Sequence, residues 1–376
     1  MSQHTPRILI NCSNLHTGGG VAVASSFIDC LSRMEHDDLS ISLLLSTAVE
    51  HNLCALGTNL GSFADCQTQD FHGIGAIRQG LERHFEGQDL VFTVFGPAYF
   101  LRRRTRHLFG FAQPNIIYPD NPVAARQGFL ARWRTRAKFE LQAWFYARAD
   151  AFIVELEHVR TGLLKRRLFR HKPVHIVYNS VHSVFDAPQS WAALELPRRP
   201  GQLRLGIISR NYPHKNLAIL SEVKRHLLAS HGREAEIYVT LPPDEWEACG
   251  TGFRDSVINV GVLSLSQCPS FYAQLDGVLF PSLLECFSAA PIETMKVGRP
   301  LFASDLSFIR DVCGDHCEYF NPLDAADIAR SIDSFFSLPA EVQQQRCEAA
   351  RAHVGKFPGP DERAAGYLKV IRQTLA

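Results

Sequence analysis

The chain has 376 residues, enough for two domains of ordinary size. Its 39 Lys and Arg balance 38 Asp and Glu, so bulk charge points to no nucleic-acid or membrane partner, and an apolar share of 46% is that of a globular protein. The start, MSQHTPRILINCS, has no long apolar segment and no apolar run reaches spanning length, which leads to the expectation of a cytoplasmic protein. The ten cysteines are scattered, mostly in apolar contexts such as Cys12, Cys30 and Cys286, and read as reduced thiols.

Strand candidates in the first half are 7–12, 39–46, 89–95, 107–112, 151–154 and 174–177, each followed by helical or loop sequence. RILINCSNLHTGGG reads as strand then glycine-rich loop, with Gly18, Gly19 and Gly20 letting a ligand approach the backbone at the start of a helix. A dinucleotide site would want an acid at the end of the second strand, and LSISLLLST has none, which argues against NAD. Gln113-Pro114 forms the turn after the fourth strand. From Leu101 to Lys138 there are eight Arg and one Lys against one acid, Asp120. The second part of that stretch reads as an amphipathic helix with Phe129, Trp133, Phe139, Trp144 and Phe145 on or near its apolar side. Contact with anionic lipid headgroups, or with a lipid-diphosphate acceptor, and a packing helix with a solvated basic face are both open readings. No nucleic-acid motif accompanies the charge. Glu157 and His158 read as helix-start residues.

Residues 181–202, rich in Pro and polar residues and without periodicity, read as a linker. The second half repeats the alternation, with strands near 203–208, 235–240, 257–260, 277–280, 300–303 and 317–320. Alternating strands and helices imply parallel sheets with helices on both faces. The expected division is a first Rossmann-like domain over 1–180, a second over 203–357, and a last helix in 358–376 crossing back to the first.

Two stretches of the second half carry chemistry. After the strand LRLGII, Ser209, Arg210 and Lys215 fall in a loop expected to be exposed, with Asn216 as the cap of the next helix. A guanidinium fork and an ammonium there suit a diphosphate, and two solvated loop cations are the plain alternative. His214 reads as a structural loop residue. Downstream, PSLLECFSAAPIETMKVG reads as strand end, turn and helix, with Ser288 as candidate N-cap, Pro291 in the first turn and Gly298 as the stop. Glu285 then lies in the loop and Glu293 inside the helix, with the free N–H groups around Phe287, Ser288, Ala289 and Ala290 between them. A carboxylate on each side of a phosphate site suits a sugar joined to a nucleoside through a diphosphate; an amphipathic helix with a solvated Glu is the alternative. Cys313 and Cys317 form C-x3-C around His316, but no further ligands sit at zinc spacing.

The segment Glu285–Glu293 resembles the E-x7-E motif of retaining glycosyltransferases of family 4, which have the GT-B fold. The family's E-G-F-G-[LF]-P-x-[LIV]-E stands here with Cys286 and Ser288 in place of the glycines, and with Phe287 and Pro291 kept. Residues 203–227 are similar to the family's strand, loop and helix with S-R-x-x-x-x-K-N, and Tyr178-Asn179-Ser180 stands where it has P-N-G. The resemblance implies two doubly wound domains facing across a cleft. It implies Glu285 against the donor sugar, Glu293 on the ribose, and Arg210 and Lys215 on the leaving diphosphate. The glycine loop 18–20 would face donor and acceptor. Many members have a His-Asp pair where Gln113-Pro114 stands, so Gln113 is an acceptor-side residue able to bond a hydroxyl but not to act as a base. No D-x-D occurs, so no metal or other cofactor is expected. The implied activity is transfer of a hexose from a nucleotide sugar to a glycan or lipid-linked glycan, in bacterial surface polysaccharide assembly. A nucleotide-sugar 2-epimerase and a non-catalytic nucleotide-sugar-binding protein are the rivals.

Overall fold

The computed structural model describes residues 5–376. Two compact units divide the chain. One holds the chain up to Asp120, Gln127–Ser180 and Pro358–Ala376; the other holds Asn121–Arg126 and Val181–Phe357. Unit 1 is a seven-stranded parallel sheet in the order β3-β2-β1-β4-β5-β6-β7. Its strands are β1 (Arg7–Asn11), β2 (Ser40–Leu45), β3 (Asp65–Thr68), β4 (Leu90–Thr93), β5 (Arg106–Gly110), β6 (Ala151–Val154) and β7 (Val174–Ile176). Unit 2 is a six-stranded parallel sheet in the order β10-β9-β8-β11-β12-β13. It is built from β8 (Leu203–Ile207), β9 (Ala235–Val239), β10 (Ile258–Asn259), β11 (Gly277–Phe280), β12 (Leu301–Ser304) and β13 (Glu318–Phe320). β4, β6, β11 and β12 are buried at every position, as expected of strands covered on both faces.

Both sheets have the order that places a switch point beside the first strand, between β1 and β4 in unit 1 and between β8 and β11 in unit 2. Loops leaving the carboxyl ends of those strands diverge and leave room for a ligand. Helix Gly19–Leu31 follows β1, and helix Ala290–Val297 follows β11. The latter stops at Gly298, whose φ of 78° lets its N–H and that of Arg299 close on the carbonyls of Met295 and Thr294.

The last helix, Pro360–Leu375, belongs to unit 1, where Ala364, Tyr367, Leu368 and Ile371 join the core of the β1 and β4 side. Tyr367 meets the Phe27 ring edge-on at 5.0 Å. Arg363 on this helix is 2% exposed and donates to Asn179 Oδ1 at 2.6 Å and Ser26 Oγ at 2.9 Å. Beside it burial pushes the Glu155 carboxyl up to about 7, while the Arg363 charge and a bond from Asn179 hold it down.

Several expectations are corrected. β3 is absent from the predicted strands because all four of its residues are exposed, an edge strand with no buried alternation to read. Residues 181–202 are packed into unit 2 rather than a free linker. The Trp191 indole donates to Val184 O, the Ala192 N–H to Ser266 O and the Leu196 N–H to Gln274 Oε1. Asn121–Arg126, from the middle of the first half, also joins unit 2.

Candidate active site

Two loops of unit 2, one after β8 and one after β11, carry the residues singled out from sequence. Because β8 and β11 are neighbours, the loops meet: the Leu283 N–H donates to His214 O at 2.7 Å. Lys215 Nζ from the first loop lies 2.6 Å from Glu285 Oε1 of the second. Their side chains are only 17% and 12% exposed, so this pair is largely withdrawn from water and correspondingly costly to break. Lys215 also lies over the Phe280 ring, 5.5 Å from its centroid. His214 Nε2 is 3.8 Å from the same carboxylate oxygen. Burial pushes the His214 imidazole below its ordinary value, the Glu285 charge opposing and the Lys215 charge adding, so the ring is neutral at pH 7.

Arg210 stands apart from that pair. Its Nε donates to Glu245 Oε1 at 2.6 Å, and Glu245 Oε2 accepts the Asn211 N–H at 2.7 Å, which stiffens the loop. At 54% exposure its guanidinium remains open to solvent. The loop is therefore exposed at Arg210 but not at Lys215, against the expectation of one open loop. Ser209 is held inside its loop, its N–H bonded to Thr240 Oγ1 and its hydroxyl to Arg210 O. Asn216 does not cap the helix with its side chain. It is buried in the left-handed conformation, φ 55°, accepts from Arg126 and donates to Pro322 O at 2.8 Å.

Ser288 does not cap either; the helix starts at Ala290 with Ala289 before it and no side-chain cap. Among the described residues nothing accepts the backbone N–H groups of Phe287, Ser288 and Ala289, which leaves the donors expected of an uncapped helix start. Glu293 lies one turn in, where the buried Tyr272 hydroxyl donates to its Oε2 at 3.2 Å. Burial raises the Glu293 carboxyl to about 7, with that hydrogen bond opposing. A carboxyl poised near neutrality, orphan amide donors and a Lys–Glu pair thus stand on adjacent loops at one strand end. A cavity of about 460 Å³ in the same unit, lined by Arg299, Gln343 and Arg351 among others, contains none of these groups.

In unit 1 the glycine loop follows β1 as expected. Gly18, φ 74°, precedes a helix without a side-chain cap, and Gly18 and Gly19 are exposed. Only glycine adopts that backbone without strain. Gln113 sits half-buried after β5 before the short helix Pro114–Ile117 and accepts from Asn115 Nδ2 at 3.4 Å. Sequence reasoning missed a polar group at this sheet's strand ends. His16 stacks on His72, centroids 3.9 Å apart, and its Nδ1 lies 3.3 Å from Asp70 Oδ1. Asp70 and His72 follow β3, so overlooking that strand hid them. Glu245 and Tyr272 were missed too, since neither lies in a recognisable motif.

Residues 202–337 match the family model described as glycosyl transferases group 1. No curated protein matches the chain in sequence. Among solved structures, sucrose-phosphate synthase of Thermosynechococcus elongatus is similar, at TM-score 0.70 and 14% identity over 98% of this chain and 99% of that one. WaaG, a glycosyltransferase involved in lipopolysaccharide biosynthesis, gives TM-score 0.66 at 14% identity, covering 95% of this chain and 98% of that one. Anabaena HepE, solved with UDP and glucose, gives TM-score 0.65 at 13% identity over 98% and 100%. The fold is GT-B. The domain match falls on the unit that carries the Lys215–Glu285 pair and Glu293, and it supports glycosyl transfer as the activity.

Proposed function

We propose that the chain is a retaining glycosyltransferase that moves a hexose from a nucleotide sugar to a glycan or lipid-linked glycan, in the assembly of a bacterial surface polysaccharide. The observation that carries this reading is the meeting of Lys215 and Glu285, 2.6 Å apart on adjacent loops, beside an uncapped helix start that leads to Glu293. Solved relatives include a protein crystallised with UDP and glucose and one involved in lipopolysaccharide biosynthesis.

The roles are those that the resemblance implies, and the chemistry of each group suits them. The orphan N–H groups at 287–289 and the positive end of the helix receive the diphosphate. Glu293, once ionised, accepts hydrogen bonds from both ribose hydroxyls. Glu285 faces the hexose. Lys215, now neutralised by Glu285, turns its charge to the leaving diphosphate, and Arg210 reaches it from the exposed side of the loop. The acceptor oxygen attacks the anomeric carbon on the face that the diphosphate leaves. The carbon–oxygen bond to phosphate breaks, and the departing phosphate oxygen takes the acceptor proton. Gln113 serves the acceptor by hydrogen bonding, and the glycine loop 18–20 offers donor and acceptor a close approach to its backbone. No metal takes part.

The test is to incubate the protein with a panel of nucleotide sugars, with and without lipid-linked glycan acceptors, and to analyse products. Acceptor-dependent release of nucleoside diphosphate supports the reading. A donor isomerised without acceptor would make the protein an epimerase, and a donor bound but never consumed would make it a binding protein.

A further inference from the structure

The helix Phe129–Tyr146 carries apolar residues on the side where a globular protein normally places polar ones. Its inner face is clear: Ala143, Phe145 and Tyr146 are buried, and Thr135, Phe139 and Gln142 are half-buried. At 100° per residue the opposite face carries Phe129, Leu130, Trp133, Leu141 and Trp144. These are 82%, 71%, 65%, 44% and 46% exposed. Cations line both margins of that stripe, Arg132 and Arg136 on one side and Arg134 and Lys138 on the other. The one acid near the stripe, Glu140, is occupied by Arg166, whose Nη2 lies 2.8 and 2.7 Å from its two oxygens. Asp120 answers Arg132 and Arg136, at 2.8 and 4.0 Å, but among the described residues no acid pairs with Arg134 or Lys138.

The structure narrows the basic stretch read from sequence. Three of the four arginines at 102–106 have partners elsewhere: Arg103 pairs with Asp150, Arg104 approaches Glu86 at 3.9 Å, and Arg106 bonds the carbonyls of Thr374 and Leu375. Phe145, assigned from sequence to the apolar side with Trp133, belongs instead to the inner face. What remains is one helix with an outward aromatic stripe between two basic rails.

We propose that this helix docks the protein on an anionic lipid bilayer, lying in the plane of the interface. The stripe enters the headgroup–acyl boundary, with tryptophan at the depth it prefers, while Arg132, Arg134, Arg136 and Lys138 meet lipid phosphates. Charge complementarity selects this occupant over a second copy of the chain, because two such helices would oppose eight cations. The helix lies on the membrane rather than across it: among the described residues no helix is long and apolar enough to span. The inference stands apart from the transferase reading, since none of these residues belongs to the donor site.

The test is co-sedimentation of the full chain with vesicles of phosphatidylcholine alone or with one-third phosphatidylglycerol, at low and high salt. Binding is expected only to the anionic vesicles and falls in high salt. Arg134→Gln with Lys138→Gln should cut the partition coefficient about 25-fold, roughly fivefold for each charge. Trp133→Ser should weaken binding at both salt concentrations. Wild type that ignores anionic vesicles at low salt overturns the proposal. So does a dimer seen by sedimentation velocity that Trp133→Ser dissociates, because the stripe would then cover itself. An unchanged melting temperature and far-UV circular dichroism spectrum in these variants separate loss of docking from misfolding.

Discussion

Replacing Glu293 by Gln should make the free protein more stable and a poorer binder. Burial disfavours the charged form and pushes the carboxyl up to about 7 in the fold, from an ordinary value of 4.5. A raised folded pKa means the native state holds a proton that the unfolded chain has lost, so stability falls as pH rises from about 4.5 through about 7. The linkage integral puts that cost at about 0.2 kcal/mol at pH 4 and about 3 kcal/mol at pH 8. Glutamine keeps the shape and still accepts the Tyr272 hydroxyl, but has no charge to desolvate. Urea unfolding followed through unit 2 should show Glu293→Gln close to wild type at pH 4. At pH 8 it should be more stable by roughly 1–3 kcal/mol, the lower end allowing for relaxation around the carboxylate. Nucleoside diphosphate affinity, by calorimetry, should rise with pH through neutrality in wild type and be weak and flat in the variant. A variant no more stable than wild type at pH 8, or equally stabilised at pH 4, would refute the burial argument. Unchanged nucleotide affinity would refute the ribose assignment.

The remaining predictions concern the cations and the frame. Lys215→Ala and Arg210→Ala should each lower turnover by roughly 10²-fold at saturating donor, the scale of losing one preorganised charge. Their stabilities should differ: Lys215→Ala strands a carboxylate only 12% exposed and should cost about 2–4 kcal/mol, whereas Arg210→Ala removes a guanidinium that is 54% exposed and leaves Glu245 its bond from the Asn211 N–H, and should cost under about 1 kcal/mol. Equal losses in a denaturant titration would contradict the burial difference. Arg363→Ala should cost about 3–5 kcal/mol by removing the buried donor to Asn179 and Ser26 and the charge that favours ionised Glu155. It should also speed hydrogen exchange along the last helix; native-like protection there would show that its apolar face alone holds it. Chelator should leave the initial rate of transfer unchanged, and a rate restored only by magnesium or manganese would remove the metal-free mechanism.

Much of the frame was legible because parallel strands buried on both faces are written as short apolar runs, such as LRLGII, GVLFPS and AFIV. The strand that escaped, Asp65–Thr68, has no inward face to write. Glu285 and Glu293 stand out in the sequence by their spacing, and Arg210 and Lys215 by their loop and the resemblance it carries, but the pairing of these side chains is not legible there. That Lys215 meets Glu285 while Arg210 turns to Glu245 depends on how two loops fold over one strand end. Asn216 was misread because cap propensity is a local signal that tertiary contacts override, and Ser288 because the helix begins two residues after it, at Ala290. Asn216 is held by Arg126 and Pro322, residues 90 and 106 positions away. In the basic helix the sequence gives the period of the aromatics but not which of two apolar faces turns outward.

The most direct test of glycosyl transfer at the unit 2 site is proton NMR of the product formed from a nucleotide sugar and a lipid-linked glycan acceptor. Wild type and Glu285→Gln should be compared, each with nucleoside diphosphate release measured in parallel. A new glycosidic bond with the anomeric configuration of the donor, formed by wild type and lost with Glu285→Gln, is the predicted result. An inverted linkage, or undiminished transfer by Glu285→Gln, would contradict it.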